Sequence, residues 1–233
     1  MKKFLPLVLC LFLVGCESEI EIPVNYSEVF SDTPKISTGI ITLDNLPSCN
    51  EKVVSEALQK IDYIFPNAKY LGCKEEVTQT SWRNFIIFEI PVQIGGIGVR
   101  DCSNSQVCVA SSQNNQLMNI FIGEDIRKKI DLVLKSSSST RKDFRITVAL
   151  TNDTNDSLPV YILSSFVHYD ERLIPYYNTK GELPKGTVSF VLGNVATETV
   201  LSKGVVSLLK FPEREPKSLL SSSEIKFKIG NNL

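Results

Sequence analysis

The stretch Phe85–Ile94 reads FIIFEIPVQI and is the clearest structural signal in the chain. Its apolar residues alternate with the others, so one face of an extended chain carries Ile86, Phe88, Ile90, Val92 and Ile94. Such alternation is typical of a β-strand that is buried on one face. Because Pro91 cannot donate a backbone hydrogen bond, we expect an edge strand or a bulge there.

Two helical patterns lie on either side of this strand. Ser48 and Glu51 form an S-x-x-E capping box, and the apolar residues that follow recur at helical spacing until Pro66 ends the run. Glu124–Lys135 has the same spacing, with an acidic start and a basic end that suit the helix dipole. Further strands are predicted at Ile36–Leu43, Tyr70–Cys73, Leu117–Ile122, Phe144–Thr151, Val160–Tyr169, Val188–Leu192, Val195–Leu201, Val205–Phe211 and Ile225–Ile229.

The order of these elements predicts an α+β fold, in which two helices pack on a mostly antiparallel sheet. A further interpretation is that the two halves of the chain form a degenerate strand–helix–strand–strand repeat, although they share no sequence identity. We expect one globular domain at 36–233. A division into two subdomains at the polar segment 136–142 is the alternative.

Composition excludes several classes of function. The 233 residues include 25 basic and 26 acidic side chains, a net charge of −1 that leaves no electrostatic footprint for nucleic acid. The single histidine, His168, excludes a multi-histidine metal site. No cofactor is expected.

The N-terminal sequence MKKFLPLVLCLFLVGC has the organisation of an export signal. Lys2 and Lys3 precede the apolar run Phe4–Val14, which is too short to cross a bilayer, since that takes about 20 residues. It fits the hydrophobic region of a secretory signal peptide. The run ends in Leu13-Val14-Gly15-Cys16, which resembles the lipobox of bacterial lipoprotein precursors.

The resemblance implies that residues 1–15 are removed and that Cys16 is acylated, becoming the first residue of the mature protein. Two or three acyl chains anchor firmly, because each buried CH₂ contributes about 0.8 kcal/mol. In Gram-negative lipoproteins an aspartate after the cysteine favours the inner membrane. Glu17 stands here, so the resemblance implies the outer membrane, facing the periplasm, if the host is Gram-negative. An ordinary signal peptide, with Cys16 incidental, is the alternative.

Residues 16–35 are interpreted as the lipidated cysteine and a tether that holds the domain away from the membrane. This segment contains two prolines and several acidic residues. However, Ile20, Ile22 and Val24 alternate, so part of it could instead pair with a sheet edge.

Four cysteines remain after Cys10 is removed and Cys16 is lipidated. An even number in an exported protein predicts two disulfides. The predicted helix after Cys49 and the strand that returns to Cys73 have similar lengths, so the two sulfur atoms should lie at nearly the same level. A polar loop joins Cys102 to Cys108 and can close locally. We therefore expect the pairs Cys49–Cys73 and Cys102–Cys108. A zinc site is the alternative, but short C-x₂₋₄-C spacings are missing.

Several motifs for chemistry are incomplete. His168 could pair with Asp170 as a base, although a half-buried strand histidine is the simpler interpretation. Two S-x-x-K matches, Ser139–Lys142 and Ser207–Lys210, lack the partner motifs of penicillin-binding proteins. The glycines at 95, 96 and 98 do not open a helix, and the acidic stretch 153–156 lacks the glycine and glutamate of a calcium loop.

The segment Tyr169–Gly186 is the best candidate for an interaction loop, because tyrosine and arginine anchor many interfaces. Its candidate residues are Tyr169, Arg172, Tyr176 and Tyr177. Trp82-Arg83 is a smaller candidate of the same kind.

Taken together, these features predict a non-enzymatic envelope lipoprotein that binds another envelope protein. In general build it resembles small lipoproteins carried by prophages and plasmids, some of which occlude receptors against superinfection. A structural or assembly lipoprotein of an envelope complex is the second interpretation, and an envelope hydrolase that uses His168 is the third.

Overall fold

In the computed structural model, the described residues are 18–44, 46, 48–77, 82–97, 100–112, 117–135, 144–169, 172–176, 179–212 and 225–226. Within these ranges fourteen strands form one sheet, accompanied by four helices. The strands are β1 Ser18–Asn25, β2 Lys35–Leu43, β3 Lys69–Val77, β4 Trp82–Ile97, β5 Val107–Ser111, β6 Leu117–Ile122, β7 Phe144–Asn152, β8 Leu158–Ile162, β9 Ser165–Tyr169, β10 Arg172–Tyr176, β11 Thr179–Leu183, β12 Gly186–Leu192, β13 Val205–Lys210 and β14 Ile225–Lys226. The helices are α1 Tyr26–Val29, α2 Glu51–Ile64, α3 Glu124–Lys135 and α4 Asn194–Lys203.

The sheet is mixed, and its strand order is far from the sequence order. The strands follow the path β10-β9-β12-β7-β1-β2-β4-β5-β6-β13-β8-β11-β14, and β3 pairs with β4 beside this path. The pairs β1–β7, β4–β5 and β11–β14 are parallel, and the remaining pairs are antiparallel. No described helix is long and apolar enough to span a bilayer.

The predicted α+β fold, with two helices packed on a mostly antiparallel sheet, is wrong. The protein is mostly β, its sheet is mixed, and its helices number four in the described ranges. The error came partly from α4, because its segment was read as the strand Val195–Leu201. Its buried residues Ala196, Thr197, Val200 and Leu201 recur at helical rather than alternating spacing. Gly193 precedes this helix, and Gly204 ends it in the left-handed conformation.

The tether interpretation does not hold for residues 18–25. They form β1, which is antiparallel to β2 on one side and parallel to β7 on the other. Ile20, Ile22 and Val24 are buried in the core, so their alternation was the decisive signal. β1 lies inside the sheet rather than at its edge. By pairing with both β2 and β7, it connects the part of the chain before residues 136–143 to the part after them.

The core consists of a large cluster of buried residues, to which β4 belongs, and a small cluster of Cys108, Ala110 and Phe121. The predicted inner face of β4 is confirmed, because Ile86, Phe88, Ile90, Val92 and Ile94 are all buried. Residues from every helix reach the same cluster, for example Val29, Ile61, Ile130 and Val200.

Pro91 lies inside the sheet instead of at an edge. β3 pairs with β4 up to Glu89, and β5 begins to pair with it at Val92. Pro91 lies between the segment of β4 that pairs with β3 and the segment that pairs with β5. Its missing N–H therefore interrupts no row of backbone hydrogen bonds on that side of β4. The register with β2 continues through it, with Thr38 opposite.

Two local predictions also need correction. The side chain of Asn50, rather than Ser48, caps α2, since Asn50 Oδ1 accepts from Val53 N at 3.0 Å. The single strand predicted at Val160–Tyr169 is two strands, β8 and β9, which break at residues 163–164. The proposed subdomain boundary at 136–142 lies outside the described residues.

Candidate functional site

Both predicted disulfides are confirmed, with Cα–Cα separations of 5.7 Å for Cys49–Cys73 and 6.0 Å for Cys102–Cys108. The first ties the start of α2 to β3. It closes 24 positions of sequence, for which the chain-entropy model gives about 3 kcal/mol of stabilisation.

The second disulfide closes a short loop that packs against the turn between β6 and α3. Gly123 N donates to Gln106 O at 2.9 Å. A Cβ on Gly123 would lie 2.1 Å from Asn104 O, so the loop requires glycine at this position. The loop is therefore fixed to the sheet by a covalent bond, a hydrogen bond and close packing.

The segment Tyr169–Gly186 is mostly strand, not a long loop. Tyr169 ends β9 and lies opposite Arg172, the first residue of β10. At the other end of this hairpin, Tyr176 lies opposite Ser165. Tyr177, the fourth candidate residue, lies outside the described residues.

β10 is an edge strand. Among the described residues it pairs only with β9, on the side that continues into the sheet. Its other side presents backbone N–H and C=O groups for pairing with another chain. Pro175 removes one donor from this strand. The structure thus brings three of the four candidate residues, Tyr169, Arg172 and Tyr176, onto one edge hairpin.

His168 lies on β9, opposite Leu173 of β10. The break between β8 and β9 removes the phase relation with Val160 on which its half-buried placement was predicted. Asp170, its candidate partner, lies outside the described residues. The ranges that the structure describes contain no group of three or more His, Cys, Asp or Glu residues placed to hold a metal ion.

The outer face of the sheet, opposite the core, carries polar residues that the sequence analysis missed. One row of paired residues crosses it from β9 to β3: Phe166, Val191, Thr147, Glu21, Ile40, Glu89 and Lys69. Thr147 Oγ1 donates to Glu19 Oε1 at 2.8 Å, and Lys69 Nζ lies 3.1 Å from Glu89 Oε1. The signal was present in the acidic residues that alternate with Ile20, Ile22 and Val24. Glu21 is exposed and Glu89 is half-buried on this face, whereas Thr147 and Val191 are buried, so the row combines solvated and covered positions.

The glycine stretch near residue 95 has a structural role. Gly95 and Gly96 have φ of 78° and 85°, and Gly96 N donates to Ser31 O at 2.8 Å. A Cβ on Gly95 would lie 2.6 Å from Glu28 O. These glycines let β4 bend closely against the segment after α1, and Gly98 lies outside the described residues.

The S-x-x-K motif on β13 is also structural, because Ser207 Oγ donates to Asn119 Oδ1 at 2.7 Å across the β13–β6 pair. The other match, Ser139–Lys142, lies outside the described residues.

The acidic turn after β7 is organised by hydrogen bonds. Asn152 Oδ1 accepts from the backbone and hydroxyl of Thr154, and its amide donates to Asp156 O and Leu183 O. Asp153 accepts from Ser27 N at 3.0 Å and from the Ser27 hydroxyl. Asp153 therefore caps the start of α1 from a distant part of the chain.

The same contacts lower the pKa of Asp153. Partial burial acts to raise this pKa, but the hydrogen bonds from the Ser27 side chain and backbone, together with one from its own backbone, outweigh that effect. The ionised carboxylate is the form that α1 favours.

Asp153→Asn should reduce the free energy of unfolding by about 0.5 kcal/mol at neutral pH, because the amide keeps one acceptor oxygen but loses the negative charge that suits the start of a helix. Because the pKa of Asp153 is lowered in the folded protein, its stabilising effect is fully present above the ordinary pKa of about 4. The effect is lost as the pH falls through the pKa of the folded state. Denaturant unfolding between pH 7 and pH 3 should show the two proteins converging at the acid end. Asp156→Asn, in the same turn, is the matched control, and an equal loss there would contradict the capping role.

The described residues form a disulfide-bonded, mostly β domain whose sheet ends in the hairpin β9–β10. The chain belongs to the DUF7424 family, a domain of unknown function, whose match covers residues 18–215. The match begins at Ser18, the first residue of β1. No curated protein and no solved structure matches the chain.

Proposed function

We propose that this protein is a lipid-anchored envelope lipoprotein whose domain acts as a non-enzymatic binding module in the periplasm. The observation that carries the proposal is the sequence Leu13-Val14-Gly15-Cys16, placed directly before the domain. Cleavage at that motif would remove residues 1–15 and leave β1, which begins at Ser18, intact.

The oxidised cysteines support export. Both disulfides join cysteines of the mature part of the chain, and such bonds persist in oxidising compartments such as the periplasm. A periplasmic location and an acylated N-terminus are consistent with each other, since lipoproteins are processed after translocation begins.

The binding role is supported by the edge hairpin β9–β10. An extended segment of a partner can add to an open strand edge through main-chain hydrogen bonds. Tyr and Arg side chains then supply the contacts that dominate many interfaces. The partner we propose is another envelope protein, and occlusion of a phage receptor is the specific case.

Photocrosslinking in intact cells tests this role. A photoreactive amino acid at Leu173 or Ile174 on β10 should give one adduct of defined mass with an envelope protein. Combining it with Arg172→Ala and Tyr176→Ala should reduce the adduct several-fold, because these substitutions remove the proposed anchors while leaving the strand backbone in place.

The matched control position is Leu132, which is 56% exposed and belongs to α3, a helix that contacts α2. An adduct from Leu132 alone, or the same adducts from all positions, would contradict binding through β10. A set of several partners held in one stable complex would favour the assembly role over receptor occlusion.

A further inference from the structure

The start of β1 fixes which end of the domain would face the membrane. Only Glu17 separates Cys16 from Ser18, so the chain between them spans at most about 7 Å. Ser18 is held on both sides, opposite Leu43 of β2 and Phe144 of β7. We call the end of the sheet marked by these three residues the anchor end. This inference rests on the lipid anchor proposed above.

The β3–β4 hairpin projects beyond the anchor end. Leu43, the last residue of β2, pairs with Ile86 of β4, but β4 starts four positions earlier at Trp82, which pairs with Val77. Four strand residues add about 13 Å. With a twist of about 20–25° between neighbouring strands, roughly 9 Å of this length is directed along β1. The end of the hairpin therefore reaches about as far as the lipidated cysteine.

The most exposed apolar side chains of the described residues lie at this end. Val77 is 75% exposed at the end of β3, and Val195 is 73% exposed in the first turn of α4. Val191 of β12 pairs with Thr147 of β7, which is three residues after Phe144. Because β12 runs antiparallel to β7, toward the anchor end, Val195 comes just after the chain has passed the level of Phe144. These two valines lie on opposite sides of β1 along the sheet.

An ion pair braces the projecting hairpin. Arg83 of β4 lies 3.5 Å from Asp44, the residue after β2, measured from Nη1 to Oδ2. The pair links the outer part of the projecting hairpin, beside Trp82, to the end of β2. Trp82 is the only tryptophan of the chain, and tryptophan is enriched at the headgroup level of membranes.

We propose that the anchor end is a membrane-contact surface, on which Val77, Val195 and the start of β4 meet the phospholipid headgroup region next to the acylated Cys16. The acyl chains attach the protein to the membrane. The contacts of Val77 and Val195, on opposite sides of β1, fix the orientation of the domain. The opposite end, with the start of β2, then faces the periplasm, about 23 Å farther along that strand.

Because Trp82 is the only tryptophan, its fluorescence reports the contact directly. The lipidated protein would be reconstituted in vesicles of phosphatidylethanolamine and phosphatidylglycerol, some containing brominated acyl chains. We expect a blue shift relative to the unlipidated chain that begins at Glu17, measured in buffer. We also expect stronger quenching by bromine at shallow than at deep acyl positions, and protection from aqueous acrylamide.

A tryptophan at the opposite end is the matched control. Ile36 is 58% exposed near the start of β2, so Ile36→Trp combined with Trp82→Phe moves the fluorophore without disturbing the core. That variant should stay open to acrylamide and unaffected by brominated lipid.

Co-sedimentation with the vesicles separates this proposal from the lipid anchor itself. If the protein co-sediments but Trp82 is quenched by acrylamide as strongly as in buffer, the anchor holds and the membrane-contact surface is overturned. If the protein purified from membranes carries no lipid and does not co-sediment, the anchor is overturned and the orientation with it.

Discussion

Replacing Ile22 with aspartate should prevent the domain from folding. The Ile22 side chain is fully buried in β1, between β2 and β7, and belongs to the larger core cluster. An unpaired buried carboxylate costs several kcal/mol, and loss of the isoleucine adds about 2–5 kcal/mol from the lost packing. Together these terms approach the whole stability of an ordinary domain, about 5–15 kcal/mol. Circular dichroism of the purified protein should lack a cooperative thermal transition.

Pro23→Asp is the control for this substitution. Pro23 is the next residue of the same strand, but it lies on the exposed outer face. The same aspartate there should change the free energy of unfolding by no more than about 1 kcal/mol. Similar, near-native transitions for both variants would mean that residues 18–25 are a peripheral tether after all.

Replacing Cys16 with serine should abolish lipid attachment and the cleavage that precedes residue 16. The thiol is the only proposed attachment point for the lipid, and a serine hydroxyl cannot form the thioether. The mature protein, by contrast, is held in the bilayer by two or three acyl chains. Metabolic labelling with a fatty acid should give no labelled variant, and the unprocessed precursor, which still carries residues 1–15, should accumulate.

Cys10→Ser gives a matched control in the same N-terminal segment. Cys10 precedes the proposed cleavage site, so the mature product should be unchanged in size and membrane content. Equal behaviour of the two variants would show that Cys16 has no special part in anchoring.

The sequence predicted local patterns well where one periodicity dominated. The inner face of β4, the bounds of α3 and both disulfides followed from alternation, helical spacing and loop geometry. Each depends on residues that are close in sequence or on a short connecting segment, which explains the success.

Predictions that depended on distant pairing failed. The parallel partner of β1 is β7, more than a hundred residues later, and no local signal names it. Without that partner, the prolines and acidic residues after Cys16 suggested a tether. Val195–Leu201 was misread for a related reason, since β-branched residues favour a strand until their contacts with β6, β7 and β13 fix them as a helix.

The candidate site was only partly accessible from sequence. Tyr and Arg composition pointed to the segment around Tyr169, but the edge position of β10 depends on the order of strands across the sheet. The cap that Asp153 forms on Ser27 was also hidden, because it joins residues 126 positions apart.

Lipid attachment at Cys16 is decided by the mass of the mature N-terminal peptide released from the membrane-bound protein. We expect a peptide that begins at Cys16 and carries a diacylglyceryl group on its thiol, with or without a third acyl chain on its amine. A peptide that begins elsewhere, or one in which Cys16 carries no lipid, would contradict this expectation.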